Sequence, residues 1–406
     1  MTAKQNVVTG LSAASLIFAA SLAWAGGQYG PGVSDTEIKI GNTVPYSGPA
    51  SALGSLGKAE AAYFAMINEQ GGVNGRKINF ITRDDSYSPP KTVEQTRKLV
   101  EEDQVLLIFG TVGTPPNTAI QGYLNDNKVP QLFIASGAEK WNDAQHHPWT
   151  MAWSPTYQTE ARVFGRYILK NVPDAKVAVL YQNDDFGKDY IIGLRSGLGN
   201  RADQLIAAMQ SYETTDPTVD AQIATLQASG ANVLLIAATT KFAALAIRKV
   251  YDIGWKPTQF ISYPSNSVGA VLRNAGLEKS VGVISTAFDK DPTDPKWQDT
   301  PEYQEWLAWM KKYNCSANIA DALSVDGYGR AQTMVAVLKA CGDNLTRENV
   351  MKQAARLHDL KLPMLLPGIT LSTSADDFAP MKQLQLEKFD GATWKLFGEV
   401  ISGSGS

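Results

Sequence analysis

Residues 66–85, MINEQGGVNGRKINFITRDD, contain the signals for a helix end, a tight turn and a buried strand. The glycine pair at 71–72 follows a helical pattern, and glycine ends helices because it adopts positive φ at little cost. The Asn-Gly pair at 74–75 suits a type I′ turn, which requires positive φ at both central positions. The apolar residues of 78–81 then predict a strand. This segment therefore indicates a helix–turn–strand unit of an α/β protein.

The same order of helix and strand recurs along the whole chain. Continuous apolar runs, bounded by amphipathic segments, predict strands at 38–41, 77–83, 105–109, 130–135, 176–181, 232–237 and 259–263. Such strands are typical of parallel sheets that helices cover on both faces. We expect a further strand at 281–288, helices at 303–313 and 326–340, and a hairpin within 382–400. The pattern predicts two similar α/β lobes in series.

The first residues have the composition of an export signal. Lys4 begins it, 11–23 is apolar, and Ala23-Trp24-Ala25 is a small-x-small cleavage pattern. We predict a signal peptide at 1–25 and cleavage before Gly26. The alternative is an uncleaved membrane anchor, but a span needs about 20 apolar residues. The mature chain is expected to be soluble and periplasmic.

Length and charge limit the class of protein. The chain has 406 residues, of which 19% are charged and 44% apolar, with a net charge of −3. About 380 mature residues exceed the usual size of one domain, so we expect two. The slightly acidic balance argues against nucleic-acid binding, which needs a basic face. Cys315 and Cys341 predict a disulfide in an oxidising compartment, with two buried free thiols as the alternative.

Signatures of catalysis are scarce. The sequence contains no G-x-S-x-G, G-x-x-x-x-G-K-[ST] or G-x-G-x-x-G motif. The histidine pair at 146–147 lies in a polar loop, which favours a solvated role over a metal or catalytic one. The aspartate pairs at 84–85 and 184–185 each follow a strand. They suit helix caps better than a cation site. We predict neither enzymatic activity nor a cofactor or metal.

Three loops of the first lobe predict a ligand site. They span 45–49, 110–114 and 135–138, and each combines glycine with a small hydroxyl residue. Open α/β sheets bind ligands at the carboxyl ends of their strands, where these loops fall. The neighbouring helix N-termini offer free N–H groups and a positive dipole end, which hold a carboxylate without a basic side chain.

These segments together resemble the type I periplasmic binding proteins of the branched-chain amino-acid (leucine-binding) kind, the solute receptors of ABC importers. The resemblance covers nearly the whole mature chain. It implies two Rossmann-like lobes with mostly parallel sheets, joined by a three-crossing hinge near 153–157, 286–290 and 364–370. The expected N-terminal lobe is 33–154 with 288–366, and the C-terminal lobe is 155–287 with 367–402.

The resemblance also implies the site. Its ligand-binding positions match Ser47, Thr111, Val112, Gly113, Thr114, Ser136, Gly137, Ala138 and Phe186 in this sequence. Tyr157 and Tyr263, near the predicted hinge, are further candidates to stack on a ring. Thr114 occupies the place of the hydroxyl that grips the ligand carboxylate.

One position departs from the family pattern. Amino-acid receptors of this kind place an acidic residue near the start of a helix in the second lobe, where it pairs with the ligand ammonium. Phe242 falls at that position here, and an ammonium without a counter-charge is costly to bury. The departure predicts a carboxylate ligand without a free amine, with an aromatic acid such as a benzoate or phenylpropanoid as the leading class. The alternative is that Phe242 belongs to the helix core.

The expected function is that of a monomeric receptor. A small carboxylate docks on the first lobe, the second lobe closes over it by hinge bending, and an inner-membrane ABC permease recognises the closed form. Three alternatives remain: a receptor for branched-chain or other aliphatic amino acids, a periplasmic ligand sensor, and an exported enzyme.

Overall fold

The structure is a computed structural model that describes residues 1–2 and 27–402. The predicted signal peptide, 1–25, lies outside the described residues except for its first two, and its cleavage stays a prediction. No helix in the described part of the chain has the length and hydrophobicity that a membrane span requires.

Strands and helices alternate through most of the described chain. The strands are β1 Gln28–Tyr29, β2 Glu37–Val44, β3 Lys77–Asp84, β4 Leu107–Phe109, β5 Gln131–Ile134, β6 Thr150–Ala152, β7 Val177–Gln182, β8 Ile206–Tyr212, β9 Val233–Ala237, β10 Thr258–Ile261, β11 Ile284–Ala287, β12 Asn344–Leu345, β13 Gln383–Phe389 and β14 Trp394–Ser402. The helices are α1 Gly54–Glu69, α2 Pro89–Arg97, α3 Thr114–Asp126, α4 Tyr157–Asn171, α5 Asp185–Leu198, α6 Ala202–Leu205, α7 Asp220–Ala228, α8 Thr240–Asp252, α9 Arg273–Ala275, α10 Pro295–Gln298, α11 Pro301–Tyr313, α12 Leu323–Cys341 and α13 Arg347–Ala354.

Two mostly parallel sheets organise these elements. The first has the order β3-β2-β4-β5-β6, and all its neighbouring strands are parallel. The second has the order β14-β13-β11-β10-β9-β7-β8. It is parallel from β11 to β8, and β13 and β14 join it antiparallel. The predicted α/β class with mostly parallel sheets is confirmed.

The buried strands follow from their apolar sequences. Every residue of β4 (LIF) and β9 (VLLIA) is buried, as expected for strands covered on both faces. Strand β8, IAAMQSY, was not expected from the sequence, because three of its seven residues are polar. It lies at the edge of the second sheet and is largely solvent-accessible, so it needs no continuous apolar run.

The segment 66–85 folds as predicted. Helix α1 ends at Glu69, and the glycines at 71–72 both have positive φ. Val73 and Arg76 exchange two backbone hydrogen bonds of 2.7 and 2.9 Å around the Asn-Gly pair at 74–75, whose φ values of 49° and 81° fit a type I′ turn. Strand β3 then pairs in parallel with β2 along its whole length.

Helices α11 and α12 return the chain to the first sheet. They pack on α1, where the rings of Tyr63 and Tyr328 lie 5.1 Å apart, edge to face. With the boundaries predicted from the sequence, all strands of the first sheet fall in the N-terminal lobe. All strands of the second fall in the C-terminal lobe. We keep those boundaries as a proposal.

The predicted disulfide is not formed, which corrects that expectation. Cys315 lies exposed after α11, whereas Cys341 is buried at the end of α12, and both are free. A disulfide needs the two Cβ atoms about 4 Å apart, and here one thiol is inside the core and the other outside it. Burial raises the pKa of the Cys341 thiol to about 12, which leaves it protonated and unreactive at neutral pH.

Candidate functional site

A cavity lies between the two sheets, at the carboxyl ends of their parallel strands. Its walls come from the segments that follow β2 to β7 and β9 to β11, from the start of α12, and from β13 and β14. About 80 Å³ is open to the centre of a water-sized sphere. One water needs roughly 10–15 Å³ by this measure, so the space suits a small organic molecule.

A pair of hydroxyl groups forms the first-lobe wall. Ser136 lines the cavity, and its Oγ lies 2.7 Å from Thr114 Oγ1 behind it. Trp141 Nε1 donates a 3.0 Å hydrogen bond to Ser136 Oγ, so that oxygen acts as an acceptor there. These buried hydroxyls can present hydrogen-bond donors to a ligand carboxylate.

The N-terminus of α3 contributes less than the sequence suggested. Gly113 precedes it with a φ of 95°, and a Cβ there would overlap the ring of Tyr87. Pro115 and Pro116 fill the first turn, and proline has no N–H. The Asn117 amide bonds to Gly113 O at 3.3 Å, which leaves the Thr114 amide as the free donor of this turn.

Aromatic side chains form the opposite wall. Tyr157 packs edge to face on Phe186 at 4.8 Å, and its ring lies 5.6 Å from that of Tyr263. Asp184 caps α5 by accepting from the Phe186 amide at 2.9 Å, and this cap places the Phe186 ring at the cavity. Burial raises the pKa of Tyr157 to about 12, so its hydroxyl stays neutral.

Half of the residues expected at the site line this cavity. They are Val112, Gly113, Ser136, Tyr157, Phe186 and Tyr263. Thr114 stands directly behind Ser136, and the Gly137 carbonyl accepts the Tyr157 amide at 2.8 Å. Thr111 and Ala138 are buried in the loops behind the wall.

Ser47 and Phe242 lie elsewhere. The Ser47 hydroxyl is exposed and donates to Asp84 at 2.6 Å. Phe242 is 1% exposed, and its ring lies 4.3 Å from that of Tyr212, tilted by 34°, in the core of the second lobe. It is the third residue of α8, where the buried face of the helix turns toward the sheet. Thr239, just before α8, lines the cavity instead. Phe242 therefore belongs to the core, which was the alternative reading of its position in the sequence.

The cavity also has lining residues that were not expected from the sequence. Tyr87 reaches it from a turn after β3, with a positive φ of 60°. Its charged lining consists of Asp289, Lys290, Asp291, Asp326, Arg330 and Glu387. The sequence held one indication of these charged residues. The charged run at 289–291 follows β11, at the hinge crossing expected near 286–290.

Arg330 is fully buried beside the cavity, and its guanidinium already contacts several protein groups. Its Nη2 donates to Asp326, its Nη1 donates to Phe133 O at 2.9 Å, and its Nε lies 3.7 Å from Glu60 Oε1. The guanidinium also lies over the Trp153 ring, 4.9 Å from its centroid. Arg330 therefore ties α12 to the first sheet, while its Nε has no hydrogen-bond partner among the described residues.

Contacts between the two halves enclose the cavity. Ser267 Oγ donates to Asp321 Oδ1 at 2.8 Å, and the Gly269 amide donates to Ala320 O at 2.9 Å. Across the opening, Lys140 Nζ lies 2.9 Å from Asp185 Oδ2. The described conformation is thus a closed one.

The aspartate and histidine pairs have structural partners. Asp84 accepts from Lys91 Nζ at 2.9 Å, Asp184 caps α5, and His146 contacts Asp143 in an exposed loop. Among residues 1–2 and 27–402, no group of three or more His, Cys, Asp or Glu side chains is arranged to hold a metal ion.

Comparison with known proteins gives the family. Residues 37–391 match the family model described as periplasmic binding protein. The chain is 25% identical over 358 residues to the Leu/Ile/Val-binding protein homolog 1 of Brucella abortus (strain 2308), a match that covers 85% of this chain and 86% of that protein.

Two solved structures are similar in fold. A substrate-binding periplasmic protein from Ralstonia solanacearum gives a TM-score of 0.80 at 22% identity, covering 89% of this chain and 100% of that one. A branched-chain amino acid ABC transporter protein from Thermus thermophilus with bound valine gives 0.81 at 16% identity, covering 92% and 98%. The chain therefore belongs to the periplasmic binding protein family, and the predicted resemblance to its type I, branched-chain amino-acid members is confirmed.

Proposed function

We propose that the protein is the substrate-binding receptor of an ABC importer and captures a small carboxylate ligand in the cavity between its lobes. The observation that carries this proposal is the enclosed cavity with walls from both lobes. Members of the family are solute-binding receptors rather than enzymes, and they deliver small molecules to ABC permeases. We further propose that it acts as a monomer in the periplasm and meets its permease in the closed form.

Two ligand classes fit the walls. The Ser136–Thr114 hydroxyls and the Thr114 amide suit a carboxylate, and the rings of Tyr157, Phe186 and Tyr263 suit an apolar or aromatic body. An aromatic acid is one class. An aliphatic amino acid is the other, and the names of the Brucella relative and the valine-bound Thermus protein support it. The argument from Phe242 against an amine loses its basis, because that ring lies outside the cavity.

The test is a thermal-shift screen of refolded, ligand-stripped protein against benzoate, 4-hydroxybenzoate, coumarate, leucine and short fatty acids. A ligand at 100 times its Kd adds about 2.7 kcal/mol to the free energy of unfolding, and we expect at least one carboxylate to raise Tm by a few degrees. If no carboxylate raises Tm or gives heat on titration, the proposal fails for these ligand classes.

A further inference from the structure

The turn after β3 holds a bulky side chain on a strained backbone. Ser86 and Tyr87 have φ values of 53° and 60°, and an aromatic residue rarely adopts a positive φ. Asp84 Oδ1 accepts from the Ser86 amide at 3.0 Å, and Asp85 Oδ1 accepts from the Tyr87 amide at 2.9 Å. The two aspartates therefore fix the direction in which the Tyr87 ring leaves the backbone. Strain that the surrounding structure maintains in this way is typical of functional positions.

The Tyr87 ring fills space beside the cavity. The side chain is 7% exposed, and it lines the cavity together with four aliphatic residues of its own apolar cluster. A Cβ at Gly113 would lie 2.3 Å from Tyr87 Cε2 and 3.0 Å from its Oη, so the ring occupies the place that a side chain at 113 would take. We call Tyr87 and the four aliphatic residues the apolar end of the cavity. The aliphatic members are Leu53, Leu56, Val112 and Leu323.

The Tyr87 hydroxyl reaches toward the second sheet. Its Oη lies 3.5 Å from Gln182 Nε2 at the end of β7, and Gln182 Oε1 accepts from the Tyr212 hydroxyl at 3.0 Å. Burial raises the pKa of Tyr87 well above its usual range, so the hydroxyl stays neutral. The Tyr87 side chain therefore bridges the space between the first and the second sheet at the apolar end.

We propose that Tyr87 is a specificity-determining residue that limits the length of the ligand's apolar body, because its ring closes the apolar end of the cavity. This inference rests on the proposed function and deepens it, since it makes the ligand a short acid whose chain or ring ends against Tyr87. Removal of the ring would add the space of a phenol group to the apolar end, and longer apolar bodies would then fit.

The experiment measures how affinity changes with ligand length. Refolded, ligand-stripped protein is titrated with two homologous series, the ω-phenyl acids from benzoate to 5-phenylpentanoate and the straight-chain α-amino acids from alanine to 2-aminooctanoate. For the wild type, we expect affinity within a series that binds to pass through a maximum and then to fall.

Tyr87→Gly should move this maximum by about two methylene groups toward longer members. Glycine removes the ring and adopts positive φ at little cost, so the turn is kept. Two methylene groups that enter an apolar space raise affinity about tenfold. The longer member should therefore gain about tenfold in affinity relative to the member that the wild type binds best.

Tyr87→Phe is the matched control. It keeps the ring and removes only the hydroxyl, so the maximum should stay at the same length. A second variant, Tyr87→Asn, protects the test against misfolding, because asparagine tolerates positive φ and its side chain is short. The same shift toward longer ligands is expected from it.

Three results would overturn this inference and leave the receptor function standing. The first is an unchanged maximum in folded Tyr87→Gly or Tyr87→Asn. The second is a wild-type affinity that rises to the longest member of each series that binds. The third is an equal shift in Tyr87→Phe, since the ring would then not be the limit. If no member of either series binds to the wild type, both this inference and the proposed function fail.

Discussion

At the scale of single residues, Thr114 and Ser136 form a pair of hydroxyl groups, and the pair carries two hydroxyl protons. One proton closes their 2.7 Å contact. Trp141 already donates to Ser136 Oγ, so the second proton is available to a ligand oxygen or to the nearby Tyr157 hydroxyl. We therefore propose that Thr114 acts on a ligand through Ser136 and through its own amide.

Thr114→Val removes one member of this pair while keeping the side-chain shape. We expect ligand affinity to fall by about 1–2 kcal/mol, a 5- to 30-fold rise in Kd, because the net value of one buried hydrogen bond has this size. Isothermal titration with the ligand found in the screen measures it. Thr118→Val is the matched control, since the Thr118 hydroxyl bonds within α3 to Thr114 O and faces away from the cavity. An unchanged Kd would remove Thr114 from the site.

At the scale of elements, Glu160 joins three parts of the fold behind the aromatic wall. It lies on α4, and its carboxylate accepts from Thr286 Oγ1 of β11 at 2.6 Å and from the Tyr263 amide at 3.1 Å. The hydroxyl of Tyr190 on α5 also donates to it. Because Tyr263 and Tyr157 line the cavity, Glu160 positions the wall without touching the ligand.

Glu160 predicts a pH dependence of stability. Its complete burial raises the pKa from 4.5 to about 7, although the hydrogen bonds from Thr286, Tyr190 and Tyr263 lower it. Between pH 4.5 and 7 the folded state binds a proton that the unfolded state does not, so this group makes stability fall as pH rises through that window. The change amounts to at most about 3 kcal/mol.

Glu160→Gln cannot titrate and should lack this component. Urea unfolding of both proteins at pH 4.5, 5.5, 6.5 and 7.5 gives the difference in unfolding free energy. We expect the wild type to lose stability relative to the variant as pH rises. Parallel curves for the two proteins would show that Glu160 has an ordinary pKa.

At the scale of the whole molecule, the proposed function makes ligand binding depend on the balance between open and closed forms. A ligand shifts this balance only through contacts that the closed form alone provides. The closed form described here also has contacts of its own, and the buried Ser267–Asp321 hydrogen bond is the best enclosed of them. The Lys140–Asp185 pair is partly exposed and contributes little.

Ser267→Ala removes this contact and leaves the buried Asp321 short of a donor. We expect Kd to rise about 5- to 30-fold, with a larger radius of gyration for the ligand-free variant by small-angle X-ray scattering. Ser280→Ala is the control, because the Ser280 hydroxyl bonds to Gly276 O within one lobe. Equal affinity and equal scattering for both variants would show that the Ser267 contact does not stabilise closure.

Much of the fold was predictable because its signals are local. Continuous apolar runs at β4 and β9, and positive-φ glycines after α1, determine element type without reference to distant residues. The first-lobe wall was predictable for a related reason. Loops after parallel strands lie at one edge of a sheet, so 110–114 and 135–138 had to be neighbours.

The sequence by itself determined the two α/β lobes, the turn at 74–75 and the position of the hydroxyl wall. Only the tertiary structure decided that Phe242 packs in the core and that Cys315 and Cys341 stay apart, because both depend on which way a side chain faces. It also decided the charge of the cavity. Asp289 and Glu387 come from distant parts of the chain, and they share one low-dielectric space only because β11 and β13 pair in the folded sheet.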